Sequence, residues 1–102
     1  MSFAINRGKG FTIDFPNGVC LSTQFGAANY CENKDNFEDF DVGKYIEYIP
    51  CKNVEIAIWD NKGVWITKKI LNHDNDVKGW VEIDEWLDIF DKCRNYKGDE
   101  NV

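Results

Sequence analysis

The sequence predicts an α+β fold: an antiparallel sheet of two main hairpins, about four or five strands, packed by one C-terminal helix. Three observations predict it. Two segments alternate apolar and polar residues about a short turn ending in Gly. A third segment, near the end, repeats apolar residues at helical spacing. The chain has 102 residues, of which 43% are apolar and 15% aromatic, so residues 1–102 can form one domain with one core rather than a disordered chain.

The first hairpin covers residues 10–25. Phe11, Ile13 and Phe15 alternate with Thr12 and Asp14, and Pro16-Asn17-Gly18 reverses the chain. Val19, Leu21, Thr23 and Phe25 follow, alternating with Cys20, Ser22 and Gln24. If Gly18 closes the loop in the left-handed conformation, Phe15 pairs with Val19 and Ile13 with Leu21. One face is then apolar, and the other carries Thr12, Asp14, Cys20, Ser22 and Gln24.

The second hairpin, residues 54–70, repeats that design around Asn61-Lys62-Gly63. The same register pairs Asp60 with Val64 and Ile58 with Ile66, which gathers Val54, Ile56, Ile58, Val64 and Ile66 on a core face. On the opposite face Trp59 lies across from Trp65, with Ala57 and Thr67 beside them.

Between the hairpins, residues 26–41 are rich in Asn, Asp and Glu and read as a long loop. Residues 44–49 alternate weakly as an edge strand, which Pro50 ends because it cannot donate to a ladder. Residues 72–79 read as a second polar loop, and 80–83 as a short strand. A helix follows. Asp84 is its expected N-cap, Glu85 and Asp88 suit the positive end, and Lys92, Arg94 and Lys97 suit the other. Trp86, Leu87, Phe90 and Cys93, with Ile89 and Tyr96, form a stripe that needs a sheet to cover it, and Gly98 is a stop signal.

A formal net charge of −6 disfavours the nucleic-acid backbone and anionic membranes as partners and is compatible with a basic protein. Plain solubility is the alternative explanation. No apolar run has the length of a signal peptide or a membrane span, so a cytoplasmic setting is expected. Cys20, Cys31, Cys51 and Cys93 contain no C-x-x-C pair and read as free thiols. His73 is the single His, and neither it nor the acidic groups Asp74/Asp76 and Asp35/Glu38/Asp39/Asp41 match the spacing of zinc or calcium sites. The expectation is no metal, no cofactor and no enzymatic activity, since no nucleophile stands with a base and no carboxylate pair is singled out.

The candidate contact surface is the Trp59–Trp65 face. A cross-strand aromatic pair can serve the hairpin alone, or it can anchor a partner or stack on a base. Gln24, Asn29 and Tyr30 lie where a strand enters a loop carried on rigid strands, and Asp35, Glu38, Asp39 and Asp41 form an acidic stretch able to meet a basic surface.

Phe15-Pro16-Asn17-Gly18, Ser22-x-Gln24-Phe25-Gly26 and Asn29-Tyr30-Cys31, with Glu55-Ile56-Ala57-Ile58-Trp59-Asp60-x-x-Gly63-x-Trp65, resemble a family of short uncharacterised proteins encoded by bacteriophages and prophages. The resemblance covers both hairpins and, loosely, the helix. It implies an accessory phage protein acting inside a bacterium, of the kind that opposes host antiviral defence. Three functions follow as expectations. One is stoichiometric inhibition of a defence protein, for instance a CRISPR effector, in the manner of an anti-CRISPR. Another is a sponge for a nucleotide immune signal, using Trp59, Trp65, Tyr30, Asn29 and Gln24 with Arg7, Lys9, Lys68 or Lys69 on the phosphate. The third is a structural or inert accessory domain.

Overall fold

A computed structural model describes residues 2–6, 9–37 and 49–98. Among the described residues, five strands, β1 (Ser2–Ile5), β2 (Gly10–Asp14), β3 (Cys20–Gln24), β4 (Asn53–Trp59) and β5 (Val77–Glu82), form one sheet in the order β1-β2-β3-β4-β5. All neighbours are antiparallel. Among the same residues two helices, α1 (Thr67–Leu71) and α2 (Ile83–Arg94), complete an α+β fold with α2 packed on the sheet.

The first hairpin has the expected register. Ile13 pairs with Leu21, the Phe15 amide donates to the Val19 carbonyl at 2.8 Å, and Gly18 turns the chain at φ 88°. β1, which the sequence reading did not assign, adds to the outer edge of this hairpin through Phe3↔Ile13 and Ile5↔Phe11. Its four residues are too few for period-two alternation to stand out from the flanking polar chain. Residues 44–48, most of the expected edge strand, lie outside the described residues, as do Glu38, Asp39 and Asp41.

The second hairpin departs from expectation halfway along. Its turn is as predicted: the Asp60 amide donates to the Val64 carbonyl at 2.9 Å, Gly63 has φ 81°, and Trp59 bridges Trp65. The return strand then stops. Past Ile66 the chain turns into α1, and Thr67 is buried on the core side instead of standing beside the tryptophans. The Thr67 hydroxyl accepts from the Ile58 amide at 2.8 Å and donates to the Ile58 carbonyl at 3.2 Å. One side chain thus replaces the next rung of the ladder. β5 takes the rest of the β4 edge, so the expected polar loop 72–79 already contains the start of a strand.

β5 runs into α2 without a loop, which moves the cap two residues ahead of the expected one. Glu82 is the N-cap residue, and Asp84 and Glu85 occupy the acidic first turn. The stripe buries Ile89 and Cys93 and packs Trp86, Phe90 and Tyr96 against the core; Leu87 is half exposed. The core lies between α2 and one sheet face: Ile13, Phe15, Val19, Leu21, Ile56, Ile58, Ile66 and Val81 meet Ile89 and Cys93. At the far end of α2, Asn17 of the first turn donates to the carbonyls of Cys93 at 2.9 Å and Tyr96 at 2.8 Å.

Candidate functional site

Both helices pack on one face of the sheet, and the opposite face holds the candidate site. Strand alternation decides which side chains stand there. From β3 come Cys20, Ser22 and Gln24. From β4 come their cross-strand partners Trp59, Ala57 and Glu55, in the register Cys20↔Trp59, Ser22↔Ala57 and Gln24↔Glu55. Small residues at the middle pair and large ones at both ends leave a trough. Its volume is about 430 Å³, and Ser22, Gln24, Glu55, Ile56, Ala57, Trp59, Gly63, Trp65 and Val77 line it.

One end of the trough is aromatic. The Trp59 and Trp65 rings meet edge to face, centroids 5.7 Å apart at 62°. This geometry suits the ring quadrupoles and leaves much of the Trp65 indole uncovered, at 51% exposure. Trp65 is held there by its bridge to Trp59 and by the hydrogen bonds of its neighbours, Val64 to Asp60 and Ile66 to Ile58, before the chain leaves the sheet at Thr67.

The other end is a carboxylate. Glu55 accepts from the Asn29 side-chain amide through Oε1 at 3.1 Å and from the Tyr30 backbone amide through Oε2 at 2.8 Å. Asn29 is buried; its Oδ1 accepts from the Gly26 amide at 2.8 Å, and its Nδ2 also donates to Gln24 Oε1 at 3.1 Å. Asn29 and Gln24 therefore shape the wall, and Asn29 does not present a free group outward. Tyr30 is exposed, and its carbonyl accepts from the Trp80 amide at 2.8 Å. That bond fills a bulge where Gly79 and Trp80 oppose Glu55 alone, since Val54 pairs with Val81 and Ile56 with Lys78. A Cβ on Gly79 would lie 2.5 Å from the Tyr30 Cβ, so only glycine lets the loop seat there. Trp80 sits in the left-handed region at φ 54°, an unfavourable conformation for a bulky residue.

The sequence-predicted residues thus fall into three groups. Trp59, Trp65 and Gln24 meet in the trough. Asn29 and Tyr30 tie the loop to its rim through Glu55. Asp35 stands apart, at φ 68°, exposed and ion-paired with Lys34 at 3.2 Å. Glu55 and Val77 were missed as site residues. Alternation already put Glu55 on the Trp59 face, two and four residues before Ala57 and Trp59; Val77 reaches the face only because β5 replaces the expected hairpin arm.

Three thiols, Cys20, Cys31 and Cys93, are held protonated. Partial burial, then a 2.9 Å hydrogen bond to Asp14 Oδ1, pushes Cys20 up to about 11. Desolvation pushes Cys31 to about 11 and Cys93 to about 12, from an ordinary 9.0. These are thiols with little thiolate near neutrality, which makes them weak nucleophiles. Among the described residues no three His, Cys, Asp or Glu side chains gather as a metal site requires, and no helix is long and apolar enough to cross a membrane. Compared with known proteins, the chain matches no family model, no curated protein and no solved structure.

Proposed function

We propose that the chain is a non-enzymatic binding protein that acts stoichiometrically, through the Trp59–Trp65 trough, on a bacterial antiviral defence protein such as a CRISPR effector in the host cytoplasm. The setting rests on the resemblance of the two hairpin blocks to phage and prophage proteins. The mode of action rests on the trough: an open concave surface on rigid strands, with an exposed indole at one end and a carboxylate at the other. Indoles of this kind are the usual anchors of protein interfaces. The chain's net charge of −6 favours a basic partner and fast, salt-sensitive encounter.

A nucleotide sponge is the competing reading, and the trough supports it less. Among the described residues lining it there is no Lys, Arg or His, and a bound phosphate would face Glu55. An indole could stack on a base, but nothing described at the site would meet the charge that comes with it.

The test is plaquing of a phage targeted by a CRISPR-bearing host. Expression of the chain is expected to restore plaques, and Trp65→Thr is expected to abolish the effect while the protein still folds. Native mass spectrometry of the purified chain separates the readings: a co-purified nucleotide would favour the sponge. Failure to restore plaques on any host carrying a defined defence system would overturn the inhibitor reading.

A further inference from the structure

We infer that the trough is an arginine-accepting site: it takes one arginine side chain projecting from the surface of a partner protein. The inference rests on the reading of the trough as a protein-binding surface and names the group that it recognises.

The shape is the first argument. Ser22 and Ala57 form a floor of small, buried residues between two raised ends. Glu55 and Trp59 are four residues apart on β4, so their Cα atoms are separated by about 13 Å along the strand. An extended arginine is long and thin enough to lie in such a trough. Its aliphatic stem would cover Ala57 and Val77 beside the Trp59 indole, and its guanidinium would reach the carboxylate end.

Charge is the second argument. Glu55 is the one charged side chain among the described residues lining the trough. It is held in place by two hydrogen bonds, one on each oxygen, from Asn29 and the Tyr30 amide. A carboxylate has about four acceptor positions, so each oxygen keeps room for a further donor. A fixed carboxylate with an acceptor position left on each oxygen suits a guanidinium, with its several planar donors, better than a compact ammonium. The indoles at the other end add apolar contact to the stem and its flanking backbone, which does not depend on the charge.

The test uses the intact chain and three Gly/Ser nonapeptides differing at one central residue: arginine, lysine or citrulline. Citrulline keeps the shape and removes the charge. Binding is read from ¹⁵N–¹H shifts of the Trp59 and Trp65 indoles and the Ala57 amide. The arginine peptide is expected to move all three signals, with affinity about tenfold or more above the citrulline peptide, as a charge-assisted hydrogen bond requires. Lysine should fall between. Glu55→Gln should erase the arginine preference, and Trp65→Thr should weaken all three peptides alike. Equal binding of the arginine and citrulline peptides to the unmodified protein, or no binding of either, overturns the inference, and that comparison needs no variant to fold. If plaque restoration depends on Trp65 but survives Glu55→Gln, the trough remains the inhibitory surface and the arginine assignment falls. If the arginine peptide binds selectively and no plaques are restored, the site stands and the inhibitor reading falls.

Discussion

Thr67 decides where the second hairpin ends. Its hydroxyl accepts from the Ile58 amide and adds to the Ile66 amide on the Ile58 carbonyl, so β4 needs no further backbone partner beyond Ile66 and the chain is free to coil into α1. Thr67→Val keeps the shape and removes the hydroxyl, taking the partner from the buried Ile58 amide, while the Ile58 carbonyl keeps the Ile66 amide at 2.9 Å. The expected cost is about 1–3 kcal/mol in urea unfolding, and Thr67→Ser should recover most of it. A loss no larger for Val than for Ser would show that methyl packing, not the hydrogen bonds, holds the junction. The same contrast explains what was legible residue by residue. Trp59 and Trp65 were readable as a pair because a three-residue turn ending in Gly fixes its own register. Asn29 was read as a contact residue because its burial depends on Glu55, a partner 26 positions away that no local pattern reveals.

At the scale of elements, each hairpin carries an aspartate, Asp14 at the end of β2 and Asp60 at the second turn, that works through hydrogen bonding. Asp60 Oδ1 accepts from the Lys62 amide at 2.8 Å and the Val64 amide at 3.0 Å, and these bonds hold its carboxyl below the ordinary 3.8. Asp14 is lowered chiefly by the Cys20 thiol and then by Ser2. A carboxyl with a depressed folded-state pKa stabilises the fold in its ionised form. That contribution is complete above the ordinary value and disappears as pH falls below 3.8 through the depressed one. Urea midpoints measured between pH 6 and pH 2 should therefore fall at the acid end, and Asp60→Asn should flatten part of the fall. An unchanged acid slope in that variant would remove Asp60 from the account. The elements that sequence patterning missed are short ones: β1 has four residues and α1 five, and each depends on tertiary contacts more than on its own periodicity.

Across the whole molecule, the fold class and the division of the sheet into a covered and an open face were legible, because alternation in β2, β3 and β4 sorts every residue to one side or the other. The identity of the fifth strand was not. The second hairpin's return arm carries an alternation as good as that of β5, and only Thr67 breaks it. The division into faces makes a prediction. Ile58 is fully buried under the helices, and Ile58→Ala should cost about 2–5 kcal/mol. Replacing Trp59 and Trp65 together by Thr should cost about 1–2 kcal/mol, the worth of a partly exposed aromatic pair and its lost contact area. Denaturant unfolding of the two variants compares them directly. Equal and large losses would place the tryptophans in the core and leave the trough without its anchor.

Asn17 carries a consequence in time. Its side-chain amide caps the carbonyls of Cys93 and Tyr96, which follow it by 76 and 79 positions. On the ribosome the turn that holds Asn17 is made long before the helix end that it will cap. β1 to β4 can pair while α2 is still unmade, since their connections in the sheet run only to one another and, later, to β5. The helix-side face of that young sheet lacks its main cover until residues 83–94 emerge. Docking of α2 onto the waiting Asn17 then closes this core, and a chain interrupted shortly before it is the form most exposed to chaperones, proteases and its own copies.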